Sequence, residues 1–176
     1  LGKAFLARYK FRYFVIHRRD LHGGLLEACR RRDEIVLSPS HGLKTFRKRN
    51  DTILVTCDNG AEFEGAALIG ADGLWSPTRK QIVTDAPRQT GHTVYRGLVP
   101  VDAVADRQFL NSMVIWCGHD THLVQYRLRG GTVMNNVAVF VSPRFKRGEK
   151  EFGQPDELHE MFAPAVPRVR DMLKYI

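Results

Sequence analysis

Asp72 stands between glycines in Gly70-Ala71-Asp72-Gly73, behind the apolar Ala67-Leu68-Ile69 and ahead of Ser76, Pro77 and Arg79. A strand that ends in such a turn and leads into a helix presents backbone N–H groups and the positive end of a helix dipole, which suits a phosphate. Gly70 and Gly73 permit close approach and unusual φ. Asp72 is itself negative, so direct phosphate contact is the wrong task for it. It fits a sugar hydroxyl, or a pyrophosphate reached through water. The same residues also read as a plain turn in which Asp72 caps the helix that follows.

The elements that must position this turn can be read from pattern. Tyr13–Arg18 is a short strand or an extended lead-in. Asp20 is placed to cap a helix running to about Arg32. Leu21, Leu25, Leu26, Ala28 and Cys29 form its apolar face, and Arg30, Arg31 and Arg32 lie at the end the dipole favours. Gly23 and Gly24 each cost ~1 kcal/mol relative to Ala there, or mark close approach by a backbone or ligand. Glu34–Ser38 reads as a strand. Residues 43–73 read as a strand meander with a hairpin turn at Asp58-Asn59-Gly60, its last strand being Ala66–Ala71. Ala66–Ala71 is apolar throughout, as in a strand buried on both faces of a parallel sheet. Ser76 is the N-cap and Pro77 the first position of a helix. Four strands follow, around His92–Pro100, Met113–Gly118, His122–Leu128 and Met134–Ser142, with sharp turns typical of an antiparallel run. Leu158, Met161 and Phe162, and then Val166, Val169, Met172 and Leu173, have helical spacing. The fold class is α+β or α/β, in two lobes: residues 1–85 and residues 86–176.

The net charge of +8 admits nucleic acid, an acidic partner or an anionic small molecule. The charge is split among clusters such as Arg30-Arg31-Arg32 and Phe46-Arg47-Lys48-Arg49, and no nucleic-acid-binding motif accompanies it, so no nucleic-acid partner is expected. No apolar run approaches the ~18 residues of a membrane span, and the N-terminal stretch lacks a signal peptide's clean apolar region. The sequence does not begin with Met, and the expectation is an interior piece of something longer or a chain whose start is missing. Cys29, Cys57 and Cys117 are scattered, without a CxxC pair. That pattern points to buried small hydrophobes in a reducing cytoplasm and to no metal site.

Residues 68–79, with Gly70, Ala71, Asp72, Gly73, Ser76 and Arg79, resemble the Asp-Gly fingerprint of the FAD-dependent aromatic hydroxylases, single-component flavoprotein monooxygenases. Thr78 departs from the small apolar residue usual before the Arg. The segment from Val15 to Cys29 resembles the family's hydrophobic-His-Arg-x-x-Leu-x-x-x-Leu motif. The strand Gly91–Pro100, then Trp116, Gly118, His122, Val124 and Tyr126, then Gly130, Gly131 and Asn135, resemble the salicylate hydroxylase and 3-hydroxybenzoate 6-hydroxylase group. Arg127 departs from the Pro often found there. The resemblance covers nearly the whole sequence. It implies a p-hydroxybenzoate-hydroxylase-like FAD-binding domain, partial in residues 1–85, and a partial antiparallel substrate domain with C-terminal helices in residues 86–176. It implies FAD contacts at Arg18, Asp72 and Gly73.

The family's N-terminal GxGxxG loop and its later Gly-Asp-Ala-x-His segment are absent from this sequence. The expectation is therefore a central fragment that binds FAD weakly alone and is inactive by itself. The implied reaction reduces FAD with NADH or NADPH and transfers one oxygen of O₂ to a ring such as salicylate or a hydroxybenzoate. A phenolic substrate reacts faster as phenolate, so His92 is the candidate base or hydrogen-bond partner, a solvent-facing turn histidine being the alternative. Arg96 is the candidate carboxylate partner. Tyr95 either lines the pocket or packs, and alternation puts it opposite His92 and Arg96. His119, His122, Trp116 and Tyr126 read as structural. The rivals are another FAD oxygenase of the same fold, such as an epoxidase or a tetracycline-type oxygenase, and a non-catalytic basic binding module. A homodimer is left open.

Overall fold

The computed structural model describes residues 2–106 and 108–176. It divides into two compact units. One comprises the residues through Leu25 together with Thr90–Ile176, and the other is Leu26–Gln89.

The larger unit is built on a four-stranded antiparallel sheet of β4 (His92–Pro100), β5 (Val114–Gly118), β6 (Thr121–Leu128) and β7 (Val133–Val141), in the order β4-β7-β6-β5. These are the four strands the alternation predicts. The register pairs His92 with Val141, Arg96 with Val137 and Pro100 with Val133. It pairs Leu123 with Ala138, and Tyr126 with Asn135. One face is covered by α5 (Pro155–Phe162), α6 (Pro167–Met172) and the closing turn Leu173–Tyr175. There Leu123, Met134, Ala138 and Phe140 of the sheet meet Leu158, Phe162, Val169, Met172 and Leu173. Phe140 and Leu123 are wholly buried, and burying each such side chain contributes ~1.5–3 kcal/mol. The short α4 (Pro143–Lys146) follows β7, with the Ser142 hydroxyl accepting from Phe145 N–H at 3.1 Å.

An N-terminal helix, α1 (Gly2–Tyr9), precedes these elements and is not predicted from the sequence. It buries no residue, and Phe5 contacts Tyr9 and Tyr13. Residues 12–17 form neither helix nor strand. The helix α2 (Arg18–Arg30) begins two residues before the expected cap. Asp20 lies inside its first turn, and its carboxylate receives two hydrogen bonds from Arg129, each 2.8 Å. Among the described residues, nothing outside their own helix comes within 4 Å of where a Cβ on Gly23 or Gly24 would stand.

The smaller unit holds β1 (Leu43–Arg49), β2 (Thr52–Cys57) and β3 (Glu62–Gly65), an antiparallel meander as predicted. The short α3 (Pro77–Lys80) is tied to β1 just beyond its end: Gln81 Oε1 accepts from Thr45 Oγ1 at 3.0 Å and from Phe46 N–H at 3.2 Å. Two expected strands do not form. Glu34–Ser38 and Ala66–Ala71 are irregular, with Val36 84% and Ile69 89% exposed. A strand requires a neighbour for its backbone N–H and C=O groups, and among the described residues neither segment has one. No helix of the described residues is long and apolar enough to cross a membrane.

Candidate functional site

The Asp72 turn is held by its own side chain. The Ser76 hydroxyl donates to Asp72 Oδ1, and the Thr78 N–H donates to Oδ2 at 3.0 Å. Ser76 in turn accepts from Arg79 N–H at 2.9 Å, so the predicted N-cap is present. These bonds, from the Ser76 hydroxyl first and the Thr78 backbone second, lower the Asp72 carboxyl to about 2. The capping reading is thus realised, while the carboxylate stays exposed and ionised. Gly73 has φ +79, which an L side chain rarely adopts, and nothing within 4 Å of a Cβ position. Arg79 pairs with Asp85. A hollow of about 350 Å³ lies beside Gly73, Leu74, Ser76 and Arg79.

The sheet of the larger unit supplies the second set. Exposure along β4 alternates, with His92, Val94, Arg96 and Leu98 on the open face and Thr93, Tyr95, Gly97 and Val99 turned inward. His92 and Arg96 therefore share a face, two pleats apart, as expected. Tyr95 is turned away from them. Its ring stacks on Phe140 with centroids 6.3 Å apart, and its hydroxyl donates to the Gly153 carbonyl at 2.8 Å. Of its two readings, the structure gives it packing. Val94, Leu98 and Ile115 leave the open face apolar, being 47%, 48% and 55% exposed.

His92 Nδ1 lies 3.2 Å from Thr90 Oγ1. Near it is a group that sequence reasoning does not single out. Asp120, in the turn joining β5 and β6, is bonded by Lys146 at 2.5 Å, and His119 Nε2 is 3.5 Å away. Its carboxyl is held below the usual range by the Lys146 bond first, against desolvation, with Lys146, His119 and His92 adding attraction. Asp120 is far from His92 in sequence, and only the β4–β7 pairing brings the turn to that end of the sheet: Val141 N–H donates to the Asp120 carbonyl at 2.9 Å. Arg18, at the start of α2, is exposed and has no described hydrogen-bond or ion-pair partner. It belongs to the larger unit, and Asp72 and Gly73 to the smaller.

A 3-hydroxybenzoate 6-hydroxylase of Polaromonas naphthalenivorans (strain CJ2) is 35% identical over 172 residues, covering 98% of this chain and 43% of that protein. The chain is a relative of the FAD-dependent aromatic hydroxylases. Among solved structures, a salicylate hydroxylase substrate complex matches with a TM-score of 0.74 at 22% identity, over 92% of this chain and 44% of the other. Klebsiella pneumoniae HpxO complexed with FAD and uric acid matches with a TM-score of 0.73 at 18% identity, over 98% of this chain and 43% of the other. At such identities these two speak for the fold of the hydroxylases. The chain spans 38% to 49% of the length of the four 3-hydroxybenzoate hydroxylases it matches. No family model matches it.

Proposed function

We propose that this chain is part of an FAD-dependent monooxygenase that hydroxylates an aromatic acid such as salicylate or a hydroxybenzoate, with NADH or NADPH as reductant. The observation that carries the reading is the open sheet face on which His92 and Arg96 stand together among apolar side chains. A ring needs the apolar surface, its carboxylate needs a cation, and its hydroxyl needs a proton acceptor. In this reading the smaller unit belongs to a flavin-nucleotide domain, and the sheet of the larger unit is the substrate platform.

The residues present fit the nucleotide part of FAD. Asp72 is ionised, exposed and rigidly held, which suits accepting from a ribose hydroxyl. Gly73 leaves room for a backbone approach. Arg18, without a described partner, suits a phosphate. FAD when bound supplies the oxygen-activating chemistry. The chain's own share is positional. Arg96 seats the carboxylate, and its long side chain spans part of the ~13 Å that four strand residues put between its Cα and that of His92. His92 accepts the phenolic proton. Val94, Leu98 and Ile115 keep water from the ring. Arg96 favours an aromatic acid over the uncharged substrate of another oxygenase of this fold.

The intact protein of which this chain is a part is expected to take up FAD and show flavin absorption bands. Its anaerobic reduction by NADH or NADPH is expected to quicken when salicylate or 3-hydroxybenzoate is added, the faster nicotinamide being the reductant. Arg96→Gln is expected to raise the KM for the acid by ~10–100-fold, the loss of a charge-assisted fork. His92→Gln is expected to lower kcat by ~100-fold or more. An intact protein that cannot be loaded with FAD overturns the reading.

A further inference from the structure

The strand β7 runs between β4 and β6, and its residues on the open face are Val133, Asn135, Val137, Val139 and Val141. An asparagine interrupts a row of valines. The register sets Asn135 between Leu98 of β4 and Tyr126 of β6, on the same face as His92 and Arg96. It is 5% exposed, and among the described residues its Nδ2 has no hydrogen-bond partner. A buried donor left unpaired bears the full desolvation penalty of the group, and a valine at this position would bear none. Asn136 also has an unpaired Nδ2, but it is turned to the helices, where its Oδ1 accepts from Gln125 Nε2 at 2.9 Å. Of the two, Asn135 alone stands on the face open to a ligand.

Its place on that face says what it would meet. Arg96 pairs with Val137, so Asn135 is its diagonal neighbour, ~7–8 Å away between Cα atoms. His92 pairs with Val141, which puts Asn135 on the side of Arg96 away from His92. A carboxylate offers about four lone-pair sites, and a guanidinium fork takes two. A second donor beside the fork fixes the direction in which the ring leaves it, here along the valine row toward His92. A neutral amide does so without adding a charge to an apolar face. Leu98 is 48% exposed, so its rotamer changes readily, and that movement opens the amide to a ligand oxygen.

We propose that Asn135 is a further substrate-binding residue, whose Nδ2 donates to the ligand carboxylate beside Arg96 and sets the direction of the ring. The assignment rests on the function proposed above for this face, whereas the unpaired buried donor does not.

The test compares Asn135→Leu, Asn135→Val and Arg96→Gln in the intact, FAD-loaded protein. The probe is salicylate or 3-hydroxybenzoate, whichever quickens flavin reduction more. Its binding is read by calorimetry, its KM and kcat from turnover, and the urea midpoint is measured without it. Asn135→Leu and Asn135→Val are expected to raise Kd and KM by ~10–100-fold, the loss of one hydrogen bond to a charged group, and to lower kcat by less. The urea midpoint of Asn135→Leu is expected to stay level or rise, because an unpaired buried donor has been removed. A structural role predicts the opposite: a lower midpoint in both Asn135 variants, or failure of both to fold, would overturn the proposal. Weaker binding in Arg96→Gln alone would overturn it and leave the proposed function standing. Unchanged binding in all three variants would overturn both. Weaker binding in the Asn135 variants of a protein that shows no turnover would keep this residue and count against the proposed function.

Discussion

Glu157 is 1% exposed, and among the described residues no cation forms an ion pair with it. Burial pushes its pKa up, but four donors more than offset that and hold it below the usual range. Oε1 accepts from Ser142 Oγ at 2.5 Å and Arg144 N–H at 3.4 Å. Oε2 accepts from Gly153 N–H at 2.5 Å and Gln154 N–H at 3.1 Å. The carboxylate therefore joins the end of β7, the start of α4 and the start of α5. Glu157→Gln puts an NH₂ group against two donors, so a loss of ~2–3 kcal/mol is expected in urea unfolding. A depressed folded pKa stabilises fully above the ordinary value of 4.5 and is lost as pH falls below it. The same sign holds for Asp72: its contribution is complete above 3.8 and lost as pH falls through about 2. Asp72→Asn is expected to remove that acid step and to speed exchange of the Thr78 amide at neutral pH. Asp72 was legible because its partners Ser76 and Thr78 are close in sequence. Glu157 was not, because its donors come from an irregular stretch whose path no periodicity encodes.

The strand β4 illustrates what pattern can and cannot supply at the scale of an element. Its alternation correctly assigned His92 and Arg96 to one face and Tyr95 to the other. The four antiparallel strands were legible for the same reason, since each has one face on the helices. Glu34–Ser38 and Ala66–Ala71 have equally good strand composition but no described neighbour, and composition cannot report a missing partner. The helix α1 was missed because Phe5, Tyr9 and Tyr13 cluster on its own surface and it buries nothing. Pattern also said nothing of Gly97. A Cβ there would collide with the Tyr175 carbonyl, because the C-terminal turn packs directly on β4. Backbone cannot swing aside as a long side chain can. Gly97→Ala is expected to cost ~1–3 kcal/mol and to displace residues 173–176, read as a lower urea midpoint with amide shifts confined to β4 and that turn.

Across the whole molecule, burial is unequal. Among the described residues, the buried hydrophobic side chains of the smaller unit are Leu54 and Cys57, while the larger unit holds a continuous cluster from Val104 through Leu173. Local opening free energies follow buried apolar contact, so the chain is expected to exchange amides in two regimes. Asn136, Ala138 and Phe140 in β7, bonded on both sides by β4 and β6 and almost wholly buried, are expected to open only with global unfolding of their unit. Glu62–Gly65, an exposed edge strand, and residues 34–38 are expected to exchange at least ~1,000-fold faster, a gap of ~4 kcal/mol in opening free energy. Adding FAD tests the functional reading in the same experiment. A ligand that binds only the folded state stabilises it by mass action, so protection should rise at residues 72–79 if the Asp72 turn meets the nucleotide. Flavin absorption without a change there would place the cofactor on other residues and leave Asp72 as the cap of α3.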